Sequence, residues 1–166
     1  MKEINVKDLQ YNPFALFDDK WALVTAGNEE KCNTMTVSWG GVGILWGKTV
    51  ATIYIRPQRY TKEFVDREDY FTISVLPEDY RKALAFCGSK SGRDMDDKFA
   101  AAGLSKGFTD GVPYVEEAEL VLVCKKLYQD DIKESGFYDK ALSDANYPAR
   151  DFHQMYIAEI VNAYVR

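Results

Sequence analysis

The sequence is short of the residues that build metal centres and nucleophile triads. Of 166 residues, one is histidine and three are cysteine. A single imidazole rules out a His-rich metal site. The cysteines stand at 32, 87 and 124 with no CxxC pair, so neither a Cys-rich zinc site nor a disulfide framework is expected, and no metal ligands are assigned. Long apolar runs are also missing. Leu120–Cys124 is among the longest and falls far short of a bilayer span. Met1–Asp8 carries no apolar stretch of the signal-peptide kind. These absences predict a soluble, reduced, cytoplasmic protein with no membrane partner. Excess positive charge is lacking too. The formal net charge is −5, which argues against general binding to nucleic acid. A small anionic ligand stays possible, because it needs only a few local cations.

What is present is a core. Hydrophobic residues make up 46% of the chain, and 9 Phe, 3 Trp and 11 Tyr favour sheet. The length suits one domain spanning residues 1–166. Trp21–Ala26 reads as a strand, Gly27–Glu30 as a turn and Thr34–Trp39 as the returning strand. Gly40, Gly41, Gly43 and Gly47 read as a flexible connection. Lys48–Arg56 alternates, with Val50, Thr52 and Tyr54 on one face and Ala51, Ile53 and Ile55 on the other, until Pro57 stops it. Tyr70–Leu76, Leu120–Tyr128 and His153–Val165 are further strands. Helices are expected over Thr61–Arg67 with Thr61 as N-cap, over Glu78–Cys87, and over Asp94–Ala102 with Asp94 as N-cap and Gly103 at C′. Gln129–Asp151 holds six acids and three bases and reads as an excursion with a short helix. Many strands and few helices predict a mainly β antiparallel barrel with helical decorations.

Three motifs fail on inspection. Trp46-Gly47-Lys48-Thr49 mimics the end of a P-loop, but position 42 is Val42 where glycine is required, and a strand follows rather than a helix. Gly41-Val42-Gly43 begins a dinucleotide fingerprint, but Trp46 occupies the third glycine position. A Ser-His-Asp triad would have to use His153, with Asp151 beside it in sequence, and no GxSxG elbow exists.

Three segments remain. Arg56–Lys62 carries three cations and no acid in an acidic protein, where a strand meets a helix start. It reads as a phosphate site or as a solvated turn. Ser89–Phe99 places Ser91, Gly92 and Arg93 together, either for an anion or as an ordinary capped helix start. Asn33–Gly40 mixes amide, hydroxyls, indole and glycine, as a flat heteroaromatic ligand requires, or as a polar hairpin would.

In this order and spacing the three segments, with His153–Ile160 as a closing strand, resemble the flavin reductase-like family of FMN-binding split barrels, and within it the flavoredoxin-like branch. The resemblance runs from about residue 11 to the end. It implies a six-stranded antiparallel split barrel, a homodimer, and one FMN per subunit near the dimer interface. Residue by residue, it implies that Asn33, Thr34, Met35, Thr36, Ser38 and Trp39 border the isoalloxazine ring. Arg56, Arg59, Tyr60 and Thr61 would follow the ribityl-phosphate, with Arg59 and Thr61 nearest the phosphate, and Ser91 and Lys98 would complete that pocket. His153 would stand near the nicotinamide or the open flavin face. The implied activity is an NAD(P)H-dependent oxidoreductase that passes electrons through FMN to a flavin, a protein or a small acceptor. The alternative is a non-enzymatic FMN electron carrier reduced by a partner protein. In either case the cofactor supplies the chemistry, which suits a chain with so few catalytic side chains.

Overall fold

The computed structural model describes residues 1–166. Its centre is two 12-residue strands, β9 (Leu120–Asp131) and β10 (Gln154–Val165), paired antiparallel along their whole length. One edge of β10 is shared: β5 (Lys48–Ile55) takes Gln154–Glu159, and β1 (Lys2–Ile4) takes Ala163–Val165. From β9 the sheet continues through β6 (Tyr70–Val75) and β2 (Ala22–Gly27) to the edge strand β3 (Cys32–Val37). On the other side β5 pairs with β4 (Gly40–Leu45). The order is β3-β2-β6-β9-β10-β5-β4, with β1 on β10. The sheet curls until β3 lies beside β5 with no ladder between them. That gap is the split of an antiparallel split barrel.

Alternation places the core. Ala51, Ile53 and Ile55 of β5 point inward, as their spacing predicts, and meet Val24, Met35, Ile73, Leu122 and Tyr156. Phe64 and Val65 of α2 (Tyr60–Arg67) and Leu16 and Phe17 of α1 (Pro13–Phe17) close this core. Each such side chain contributes about 1.5–3 kcal/mol by leaving water. A second cluster lies on the outer face, where Leu23, Val121 and Val123 pack under Leu84 and Cys87 of α3 (Arg81–Ser89) and Phe99 of α4 (Lys98–Ala101). Buried on both faces, Leu120–Cys124 reads as an unbroken apolar run rather than an alternating one.

The structure corrects four expectations. The main sheet has eight strands, not six. The Gly40–Gly47 segment is not a loose connection: it forms β4 and a tight turn in which Trp46 and Gly47 both have positive φ, 51° and 71°. Gly40 is required within that strand, because a Cβ there would come within 2.5 Å of the Phe17 ring. Thr61 does not cap α2; Arg59 occupies the N-cap without a side-chain cap bond. Asp94 ends a 3-10 turn, and Asp97 caps α4 instead, accepting from the Phe99 and Ala100 amides. A further hairpin, β7 (Lys106–Thr109) with β8 (Val112–Val115), was not anticipated. Its turn is Asp110-Gly111, both at positive φ. It seals the outer face of β6: the Thr72 hydroxyl donates to the Pro113 carbonyl at 2.7 Å, and the Ser74 hydroxyl accepts from the Val115 amide at 3.3 Å. The excursion carries its short helix as α5 (Lys140–Asn146).

Candidate functional site: two joined clefts at the split

The gap between β3 and β5 opens into a cleft of about 220 Å³, lined by Met35–Trp39, Tyr54, Arg56, Arg59 and His153. Because β3 ends the sheet, one side of its backbone has no strand partner, so its amides and carbonyls are available to the edge of a flat ligand. The Thr36 hydroxyl is engaged, donating to the Leu84 carbonyl at 2.6 Å. A polar pocket of about 150 Å³ adjoins, formed by Asn33, Gln58–Thr61, Ser89–Gly92 and Lys98. Arg59 lines both.

Local folding brings these residues together. Pro57 ends β5, the chain turns through a bond from the Arg59 amide to the Arg56 carbonyl, and α2 starts. Asn33 anchors this corner, donating to the Thr61 hydroxyl at 2.9 Å. Gly92 lies against the same amide, where a Cβ would fall 2.2 Å from Asn33 Oδ1. The opposite wall is the last turn of α3. Its free carbonyls accept from two cations: Lys98 donates to Cys87 at 2.8 Å, and Arg59 donates to Gly88 at 2.5 Å and to Cys87 at 3.2 Å.

This cation pair is unusual in an acidic protein. Lys98 is buried, Arg59 is half-buried, and neither has a carboxylate partner. Burial pushes the Lys98 ammonium down to about 8, although the nearby Cys87 opposes the shift and Arg59 adds to it. Burial also lowers Arg59. Buried charges are ordinarily paired. Two unpaired cations beside the Thr61 and Ser91 hydroxyls are the donor set an oxyanion such as a phosphate completes, while the Ser89 hydroxyl donates to the Ala85 carbonyl at 2.9 Å.

At the other end, His153 is buried, with its ring 5.0 Å from that of Trp39. Its Nδ1 lies 2.9 Å from the Tyr147 hydroxyl. Burial and then the Arg56 charge depress its pKa to about 4, against the pull of Asp151, so the imidazole is neutral at ordinary pH. Arg56 is committed to the excursion. It pairs with Asp151 at 2.7 Å, donates to the Asn146 carbonyl at 2.9 Å and stacks over the Tyr147 ring at 5.0 Å. Beside the ring cleft lies a larger open cleft of about 670 Å³, lined by Phe14, Phe17, Trp39, Val42, Tyr54 and Ile132 among others; Phe14 is 83% exposed.

A family model described as a flavin reductase like domain matches residues 15–166. The chain belongs to the flavin reductase-like family. Solved structures repeat the fold. An FMN-binding domain of a flavin reductases-like enzyme from Shewanella baltica OS155 aligns with TM-score 0.71 at 18% identity, covering 99% of this chain and 76% of that one. Flavoredoxin of Desulfovibrio vulgaris (Miyazaki F) aligns with TM-score 0.68 at 22% identity, covering 100% and 76%. The NADH:FAD oxidoreductase of Streptomyces globisporus C-1027 aligns with TM-score 0.67 at 15% identity, covering 89% and 76%. At these identities the likeness is one of fold. No curated protein matches the chain.

Within this flavin reductase-like chain, the residues singled out by sequence divide into three groups. Met35, Thr36, Ser38, Trp39, Arg56 and His153 line the ring-sized cleft; Asn33, Tyr60, Thr61, Ser91 and Lys98 line the polar pocket; Arg59 joins them. Asn33 thus stands at the polar end rather than along the ring-sized cleft. Thr34 lies in neither cleft. It is fully buried, with its hydroxyl shared between Thr25 Oγ1 at 2.9 Å and the Val24 carbonyl at 3.2 Å. Tyr60 presents its ring to Arg93, whose guanidinium lies 4.5 Å from the ring centre and pairs with Glu63. Sequence reasoning missed Tyr54, Gln58, Ser89 and Tyr147 as site residues. Tyr54 was legible, since it stands two residues before Arg56 on an alternating strand. Tyr147 had no signal beyond being aromatic. No helix is long and apolar enough to cross a membrane.

Proposed function

We propose that the chain binds FMN across the two joined clefts and works as an NAD(P)H-dependent oxidoreductase. The observation that carries this reading is the unpaired Lys98–Arg59 pair, one buried and one half-buried, at one end of a split lined by an edge strand. The phosphate would take the polar pocket, held by Lys98, Arg59 and the Thr61 and Ser91 hydroxyls. The free edge of β3 at Met35–Ser38 would hydrogen-bond the ring's polar rim. When bound, the flavin supplies the two-electron hydride chemistry, so the protein's part is to bind, orient and tune. Trp39 and His153 would wall the ring cleft and limit water there. The apolar cleft around Phe14 and Phe17 would be covered by a second copy of the chain in a homodimer.

Anaerobic mixing of the FMN-loaded protein with NADH and with NADPH tests the reading. Bleaching of the flavin absorbance supports it. Bound flavin that neither nicotinamide bleaches, but that a partner protein reduces, establishes the electron-carrier alternative. Failure to take up FMN at all overturns both.

A further inference from the structure

His153 is the only histidine in the chain, and its ring has one hydrogen-bond partner in the protein, the Tyr147 hydroxyl at Nδ1, 2.9 Å away. Nε2 has no protein partner and is not sealed from solvent, and the ring lines the open cleft. Nδ1 is the only acceptor the protein offers the Tyr147 hydroxyl, whose oxygen also lies by the His153 backbone amide, a donor. Burial raises the Tyr147 phenol, so it keeps its proton at ordinary pH and has one to give. A neutral imidazole carries one N–H, and a donor at Nδ1 forces that hydrogen onto Nε2.

The tyrosine is held firmly. It follows α5 directly, its ring packs against Phe152 at 4.7 Å and Phe137 at 6.0 Å, and the Arg56 guanidinium lies over it at 5.0 Å. Arg56 in turn pins both ends of the segment, at the Asn146 carbonyl and at the Asp151 carboxylate, while Gln58 donates to the same Asp151 at 2.8 Å. The excursion over Gln129–Asp151 thus delivers one hydroxyl to one imidazole nitrogen.

We infer that Tyr147 is a positioning residue for His153: its phenol donates to Nδ1, keeps the ring hydrogen on Nε2, and turns the imidazole into a neutral donor facing the cleft. The ligand atom it would meet is a hydrogen-bond acceptor, such as a carbonyl oxygen or ring nitrogen of flavin or of a nicotinamide carboxamide. The inference rests on the proposed function for its catalytic meaning, while the tautomer is a property of the protein alone. The charged and titratable groups around the ring are Arg56, Arg59, Asp151, Tyr54 and Tyr147. Arg56, the strongest of these on His153, opposes a second ring proton, which keeps the donor neutral.

Nitrogen-15 NMR of histidine-labelled protein tests this directly, because one histidine gives one pair of ring signals. In the wild type Nε2 should carry the hydrogen, Nδ1 should not, and neither should titrate between pH 8 and about 5. In Tyr147→Phe, which keeps the ring packing, both tautomers should appear and the titration midpoint should rise by about one pH unit or more, since a hydrogen bond to the neutral form is lost. A wild-type ring protonated at Nδ1, or a variant with unchanged tautomer and titration, overturns the inference. On FMN-loaded protein, reduction by NADH should be flat over this pH range in the wild type. In the variant it should fall as pH drops through the new midpoint, and a flat variant profile refutes the functional part. If neither nicotinamide reduces the protein, the oxidoreductase reading falls and the tautomer assignment is still decided by the spectra.

Discussion

Replacing Lys98 by Met is expected to stabilise the ligand-free protein while weakening its grip on FMN. The ammonium is buried, has no carboxylate partner and is depressed from 10.5 to about 8. A group with a depressed folded pKa burdens the folded state when charged. The penalty is fully present below pH 8 and fades as pH rises from 8 towards 10.5, because there the unfolded chain binds the proton more tightly than the folded one. At 1.36 kcal/mol per unit the penalty would approach about 3 kcal/mol, and discounting for water in the open pocket leaves on the order of 2 kcal/mol. Loss of the bond to the Cys87 carbonyl takes back about 1.5 kcal/mol, the low end for a charged donor. That carbonyl is not orphaned, since Arg59 also donates to it. Urea unfolding at pH 7 without ligand should therefore show Lys98→Met more stable by about 0.5 kcal/mol, with the gain vanishing near pH 10. Its FMN affinity should fall by about 1.5–3 kcal/mol, as for a lost charge-assisted bond. A variant that is less stable at pH 7 and binds FMN as before would refute the reasoning and make Lys98 a brace for α3.

Arg59→Ala should weaken FMN binding by about 1.5–3 kcal/mol in a fluorescence titration, and unchanged affinity would move the phosphate elsewhere. His153→Ala should keep FMN bound and slow reduction by nicotinamide; equal turnover would make His153 structural. Acid should destabilise the ligand-free wild type on account of this same residue. Its folded pKa lies near 4, so stability is lost as pH falls from 6.5 towards 4, by on the order of 2 kcal/mol, and His153→Ala should lack that portion of the slope in urea unfolding. Gly92→Ala should push Asn33 off Thr61 at a cost of about 1–3 kcal/mol and loosen the polar pocket; wild-type stability would show that the Gly92 turn shifts freely.

The strands that carry the site were readable because each has one face in a core. Lys48–Arg56 shows its alternation openly, and the cations at Arg56–Lys62 stand out from an acidic chain. The β4 strand was hidden because its glycines imitate a loop; only the Phe17 ring lying on Gly40 explains why glycine is there. The β7–β8 hairpin carries a usable turn signal in Asp110-Gly111. Thr61 and Thr34 show a different limit. A hydroxyl near a helix start or on a strand can cap, bind a ligand or satisfy a neighbour, and the choice is made by Asn33 and Thr25, which are distant in sequence or on another strand. The pairing of Tyr147 with His153 depends on how Arg56 folds the excursion back, a tertiary arrangement that local pattern does not encode.

The end of α3 acts as a stand-in anion. Its carbonyls hold Arg59 and Lys98 at the pocket wall before any ligand arrives, so the chain can fold with both cations already placed. A phosphate then has only to exchange partners with a helix terminus instead of ordering two long side chains. Under the proposed function, loading becomes a local reaction of the finished fold, and unloading returns both cations to the helix terminus. Under that same function, such a site would favour reversible exchange of the cofactor over lifelong retention.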